Sequence, residues 1–232
     1  MTRPYKHLFF DLDHTLWDHQ SNANETLADI YNDFELDRLS DFNLNQFQDT
    51  FHKINHNLWR EYHLGRIDQA QIRNTRFKKV LSALDLEVFD SDMELAQKYL
   101  SQCPCKSNLM PHALEVLDYL KERYPMTIIT NGFDEIQHIK MVNSGLIGYF
   151  DLIITSERSG WLKPHHKIFD FAVQHARVSA AECLMIGDNP ATDIKGAREA
   201  GIDQIYYDPG NNDDMLDSTY RIQSLLQLKE LL

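Results

Sequence analysis

A chain of 232 residues, 43% hydrophobic and 25% charged, has the make-up of a globular protein with room for one or two domains, and not of a disordered one. Its formal net charge of −12 disfavours DNA or RNA polymers, whose binding needs clustered Lys and Arg, yet leaves room for a small phosphorylated metabolite, because one metal ion and one lysine reverse the field locally. No apolar run approaches the roughly 20 residues that span a bilayer, so no membrane partner is expected.

The first predicted element is a strand at 6–10, followed at once by Asp11-Leu12-Asp13-His14-Thr15. The apolar stretch Leu8-Phe9-Phe10 is too short for a secretory core, so a cytoplasmic location is expected. A long helical region follows. Leu27, Ile30, Tyr31 and Phe34 recur at i, i+3, i+4, i+7, as do Phe77, Val80, Leu81 and Leu84, while Phe47, Phe51, Ile54 and Leu58 are spaced by four and three. A crossover between parallel strands needs only about a dozen residues. The excess predicts a helical domain of its own at 17–106, inserted into a core made of 1–16 and 107–232. Within it, His52 and His56 lie four apart but lack the Glu and third ligand of a zinc helix, and Trp59 and Tyr62 read as packing residues. Cys103-Pro104-Cys105 lacks the two-residue gap of a zinc or redox pair. With Cys183 it makes an odd count of reduced thiols.

From 126 onward strands alternate with helices. Apolar runs at 126–130, 152–155, 183–186 and 204–207 are strands of the kind buried on both faces of a parallel sheet. Leu114, Leu117 and Leu120 form a helix before the first of these, and Ile136, Ile139 and Val142 one after it. Further helices are predicted at 167–176 and at 191–200, the latter ending at Gly201. The alternation predicts an α/β fold, a Rossmann-like parallel sheet carrying a helical cap inserted after its first strand.

Polar clusters follow four of these strands: Asp11-x-Asp13, Thr130-Asn131-Gly132, Lys163-Pro164, and Gly187-Asp188-Asn189-Pro190 with Asp193. Taken singly they read as a solvated turn, a turn after a strand, loop-to-helix punctuation and a helix cap. Together they converge, because ligands of open parallel sheets bind beyond the carboxyl ends of the strands. Asp11, Asp13, Asp188 and Asp193 in one crevice repel each other, by roughly 4 kcal/mol for two charges about 4 Å apart at an effective dielectric of 20. Such a site needs a cation, and its hard oxygen donors favour Mg²⁺ over zinc. A metal with Lys163 would admit a phosphate dianion. Thr130, Asn131 and the backbone N–H groups around Gly132 would donate to its oxygens. This is a phosphoryl-transfer site.

From Phe9 to Asp193 these clusters resemble, in order and strand context, the four motifs of the haloacid dehalogenase-like hydrolase superfamily. The resemblance implies that Asp11 attacks phosphorus to give an aspartyl-phosphate. It implies that Asp13 protonates the leaving group and then activates water, that Thr130 binds the phosphoryl group, and that Lys163 neutralises it and holds Asp11. It assigns Mg²⁺ to Asp11, the Asp13 backbone carbonyl and Asp188, supported by Asp193. Asp13 favours a phosphatase over a dehalogenase, since halide needs no protonation. Many members have Gly where this chain has His14. An inserted helical domain would act as a lid, which excludes water and favours small substrates. Phe9-Phe10-Asp11-Leu12-Asp13-His14-Thr15-Leu16-Trp17-Asp18, with Gly65-Arg66-Ile67 and Arg73-Asn74-Thr75-Arg76-Phe77, is similar to a branch acting on pyrimidine nucleoside monophosphates. That implies a 5′-nucleotidase in which Trp17 and Arg66 are lid contacts, unless Trp17 is a buried anchor and Arg66 a solvated loop residue. A sugar-phosphate phosphatase or mutase, a 2-haloacid dehalogenase, and a non-catalytic binder of phosphorylated metabolites are the rivals. The last has no use for Asp13.

Overall fold

The computed structural model describes residues 5–39, 41–86, 92–211 and 217–232. Residues 1–4, at the start of the expected core, 40 and 87–91, inside the expected insertion, and 212–216 lie outside the described residues. Strand β1 (His7–Phe10) leads into helices α1 (His19–Asp33), α2 (Leu44–His63), α3 (Gln69–Ala83) and α4 (Asp92–Gln102). After α5 (Ala113–Leu120) strands and helices alternate: β2 (Met126–Thr130), α6 (Asp134–Asn143), β3 (Leu152–Thr155), α7 (Ser156–Ser159), α8 (His166–Ala176), β4 (Cys183–Gly187), α9 (Lys195–Glu199) and β5 (Asp203–Tyr207). Strand β6 (Tyr220–Ile222) and helix α10 (Leu228–Leu231) close the chain.

The six strands form one parallel sheet in the order β3-β2-β1-β4-β5-β6. This is the expected Rossmann-like α/β core. Alternation of side chains along β1 sends Phe9 into an apolar layer with Ile129, Ile154, Ile168, Phe169 and Met185. Leu8 and Phe10, its neighbours in sequence, are equally buried. The chain builds outward from β1 through β2 to β3, then returns to β1's other side with β4. That reversal opens a crevice beyond the carboxyl ends of β1 and β4.

Two local features depart from the sequence reading. Strand β6 is three residues long with Arg221 exposed, so it carries no apolar run to announce it. Backbone pairing to β5 and an ion pair between Arg221 and Asp208 define it. The single helix expected at 191–200 is a π-helical turn, Pro190–Ile194, followed by α9. The Asn189 side chain accepts the Ala191 and Thr192 N–H groups, and the wide turn folds Asp193 back so that its Oδ2 accepts the Asn189 N–H at 3.1 Å.

The chain divides into two compact units, 1–19 with 107–232, and 20–106. In the second, α3 packs against both α2 and α4. Asn43 with Gln46 and Asp68 with Gln71 form capping boxes that start α2 and α3. Leu27, Ile30, Phe47, Phe51, Phe77 and Val80 are buried, as their spacing predicts. His52 bonds Asn24 Oδ1 at 2.6 Å, and Trp59 meets Tyr62 edge to face. The cysteines are free thiols, Cys103 and Cys183 buried and Cys105 exposed. Among the described residues no helix is long and apolar enough to cross a membrane.

Candidate active site

Asp11 stands at the end of β1, its N–H still bonded to the Ile186 carbonyl of β4 at 2.9 Å. Its carboxylate meets a lysine from the segment between α7 and α8, which follows β3. The Lys163 ammonium, 2% exposed, donates to Asp11 Oδ1 at 2.6 Å, to the Ile129 carbonyl at 2.7 Å and to Asp193 Oδ1 at 2.7 Å. Three acceptors use its three N–H groups. Burial works to lower its pKa, but Asp11 and Asp193 more than reverse this and hold it protonated.

Asn131 keeps that lysine in place. The Lys163 N–H donates to Asn131 Oδ1 at 2.7 Å, and Asn131 Nδ2 donates to the Lys163 carbonyl at 3.0 Å. The Asn131 amide is thus engaged at both ends in bracing the lysine loop. The Gly132 N–H, also expected to face phosphate, donates to Thr130 Oγ1 at 3.0 Å. Thr130 Oγ1 accepts a second bond from Gln137 Nε2 at 2.9 Å. With both lone pairs accepting, the threonine proton is left to donate to a phosphoryl oxygen.

Asp11, Asp188 and Asp193 bring ligand atoms within 4.8 Å of one another. The two oxygens of Asp193 are engaged, Oδ1 by Lys163 and Oδ2 by the Asn189 N–H. Gly187 lets it approach: a Cβ there would fall 2.4 Å from Asp193 Oδ2. Asp188 Oδ1 accepts the Thr15 hydroxyl at 2.9 Å. Three carboxylates around one ammonium leave an excess of negative charge. Burial, then Asp193 and Asp188, raise the Asp11 pKa well above the carboxylate range against the pull of Lys163. Burial and then Asp193 push Asp188 up to about 7. An all-oxygen donor set short of positive charge fits a hard divalent cation such as Mg²⁺.

Asp13 is gripped at both oxygens. Lys140 Nζ lies 2.5 Å from Oδ1, and Gln137 Nε2 donates to Oδ2 at 2.8 Å. Partial burial works to raise its pKa, but Lys140, His19 and these hydrogen bonds reverse the effect and keep it ionised, below the usual carboxylate range. Gln137 and Lys140 were not singled out in the sequence. Their signal was two polar residues one turn apart on the helix just after Thr130-Asn131-Gly132. Thr15 also went without a role, though it sits in the first cluster.

Trp17 has the placement of a buried anchor, one of the two readings its position allows. It is fully buried, bridged through its backbone to Asp13 and Leu109, with the Lys140 ammonium 4.3 Å from its ring centroid. It anchors the turn after the first cluster and presents no surface to a substrate. Arg66 belongs to the 20–106 unit, where its exposed guanidinium pairs with Glu61 at 3.2 Å. His14 has φ 65°, the left-handed region that explains why glycine is common at this position among the proteins it resembles. His165 accepts the Lys167 N–H at the start of α8 and its ring lies 4.3 Å from that of Trp161.

Residues 5–201 match the model of the haloacid dehalogenase-like hydrolase family. The pyrimidine 5′-nucleotidase PynA of Streptococcus pneumoniae is 32% identical, with 98% of this chain and 95% of that protein covered. The pyrimidine 5′-nucleotidase YjjG of Escherichia coli is 29% identical over 97% and 96%. Among solved structures, the HAD-hydrolase YfnB of Bacillus subtilis bound to magnesium superposes with a TM-score of 0.88 at 28% identity, covering 98% of each chain.

Proposed function

This chain belongs to the haloacid dehalogenase-like hydrolases and is a phosphomonoester hydrolase, and from that premise we propose that it is a Mg²⁺-dependent 5′-nucleotidase acting on pyrimidine nucleoside monophosphates through Asp11. The observation that carries the substrate is the extent of the similarity. Both pyrimidine nucleotidases align along the full length, so the likeness includes the helical unit as well as the sheet. The observation that supports the nucleophile is the Lys163 ammonium on Asp11 Oδ1, which orients the carboxylate and tolerates a phosphate dianion beside it.

In this reading an Asp11 oxygen attacks phosphorus as the bond to the leaving oxygen breaks. Asp13 gives that oxygen a proton, and Thr130 and Lys163 hold the phosphoryl oxygens. An incoming dianion raises the Asp13 pKa and so favours the protonated form it needs first. Water then attacks the aspartyl-phosphate, its proton returns to Asp13, and inorganic phosphate leaves with Asp11 restored. Asp11, Asp188 and the Asp13 backbone carbonyl would hold Mg²⁺, with Asp193 bracing the site. The ion would offset the repulsion between carboxylates and phosphate. The 20–106 unit is the cap in this proposal, and Arg66 a contributor to nucleotide affinity.

The test is phosphate release from uridine and deoxyuridine 5′-monophosphates, sugar phosphates and phosphoglycolate, with Mg²⁺ and then with EDTA. Nucleotides are expected to react fastest, EDTA to silence all of them, and Asp11→Asn to lower kcat by at least about 10³-fold without unfolding the protein. Sugar phosphates turning over as fast as nucleotides would remove the substrate assignment. Substantial turnover by Asp11→Asn would remove the covalent route.

A further inference from the structure

We propose that Gln137 and Lys140 are positioning residues for Asp13, and that Gln137 couples its carboxylate to the phosphate-binding Thr130. The proposal rests on the reading of Asp13 as the group that serves the leaving oxygen. Both residues lie on α6, one turn apart on the same face. Gln137 is fully buried, and its single Nε2 bridges two site residues, Asp13 Oδ2 at 2.8 Å and Thr130 Oγ1 at 2.9 Å. Both of its amide hydrogens are thereby used. The bridge fixes the distance between the residue that must reach the leaving oxygen and the one that must reach the phosphoryl oxygens.

Three further observations indicate that this bridge is built for position and not simply tolerated. The opposite end of the amide, Gln137 Oε1, is buried with no hydrogen-bond partner, a state that costs about 1–3 kcal/mol. Turning the amide over would set that oxygen against a carboxylate, so the pull of Asp13 decides its orientation. Gly132 is a glycine where any side chain would block the bridge, since a Cβ there would fall 1.6 Å from Gln137 Nε2. The other Asp13 oxygen is taken by Lys140, whose ammonium is held from behind by the Trp17 ring. Trp17 in turn pairs through its backbone with Asp13. The carboxylate thus has a bond at each oxygen and a rigid ring behind its lysine. Its rotamer is set before a substrate arrives, and a displacement of about 1 Å at such a group can lower rate by roughly a hundredfold.

A group that delivers a proton to the leaving oxygen matters for an alkoxide and little for a stabilised phenolate. The experiment therefore compares kcat/KM for uridine 5′-monophosphate with that for p-nitrophenyl phosphate, both with Mg²⁺. The enzymes are the wild type, Gln137→Leu, Lys140→Met, Lys140→Arg and Asp13→Asn. Because kcat/KM stops at formation of the phospho-enzyme, the ratio reads leaving-group assistance. Taken on one preparation, the ratio is also independent of the folded fraction. Gln137→Leu and Lys140→Met are expected to lower the ratio by about tenfold or more, in kcat more than KM, with Lys140→Arg restoring most of the loss and Asp13→Asn losing most. Equal losses on both substrates in the α6 variants, with Asp13→Asn still discriminating, would overturn the positioning role and leave the reading of Asp13 intact. An Asp13→Asn variant that does not discriminate would overturn that reading and the positioning role with it.

Discussion

Lys163 in the sheet unit and Arg76 in the 20–106 unit are both buried cationic side chains, and the two are held in opposite ways. Lys163 in the sheet unit is ringed by Asp11, Asp193 and the Ile129 carbonyl, all within 2.7 Å. Arg76 in the 20–106 unit donates to Asn55 Oδ1 at 3.1 Å and lies among the rings of Tyr99, Phe51 and Phe77, with centroids 4.5, 5.3 and 5.9 Å from its guanidinium carbon. Neighbouring carboxylates raise the lysine's pKa against burial, whereas burial lowers that of Arg76. In the proposed mechanism the contrast separates a charge used for chemistry from one used for packing. A cation that organises two carboxylates stands where a dianion can join them. One enclosed by aromatic faces fills volume and satisfies an amide, at about 0.5–2 kcal/mol per cation–π contact.

Neutral replacements of similar length break or sharpen that comparison. Lys163→Met is expected to lower kcat by at least about a hundredfold, measured as phosphate release with saturating Mg²⁺. Arg76→Met is expected to leave kcat within about twofold and to change stability by about 2 kcal/mol or less in urea melts. Comparable losses of kcat in the two variants would erase the distinction.

A smaller effect concerns the charge excess around Lys163. Asp11 and Asp188 have folded-state pKa values above those of the unfolded chain. Their contribution to stability is therefore complete below the unfolded value and disappears as pH rises through the folded one, about 7 for Asp188. A divalent cation bound there would take the place of those protons. The gain in Tm on adding Mg²⁺ should thus be larger at pH 8 than at pH 5.5. Equal gains at both pH values would show that these carboxylates do not receive the ion. The smallest effect is expected at His14, whose φ of 65° suits glycine better. His14→Gly should stabilise by less than about 1 kcal/mol, since relief of the left-handed backbone is partly offset by the freedom glycine gives the unfolded chain. A clear loss of stability would mean that the imidazole, 4.9 Å from the His19 ring, outweighs the backbone term.

The parts of the site that were legible before folding are those in which chemistry is concentrated in short runs. Asp11-x-Asp13, Thr130 and Asp188 sit at strand ends and Lys163 in the loop that follows β3 and α7, and buried parallel strands announce themselves as apolar runs whose carboxyl ends must share a rim. Side chains acting on one another across elements left weaker traces. Asn131 looked like a phosphate donor because an amide can donate to either a phosphate or a backbone carbonyl. Its two bonds to Lys163 become visible only in the folded chain. Trp17 reads equally as a lid contact or a buried anchor, because an aromatic residue after a catalytic motif has no address until its burial is known.

The sequence by itself determined the parallel α/β core, the presence of a long helical insertion and the identity of the charged groups, because periodicity and strand-end placement are local properties of the chain. Tertiary structure alone decided which partner each of those groups took. Gln137 meets Asp13 across 124 residues and Lys163 meets Asp11 across 152. Contacts of that range depend on packing geometry at the ångström scale, which no spacing along the chain records.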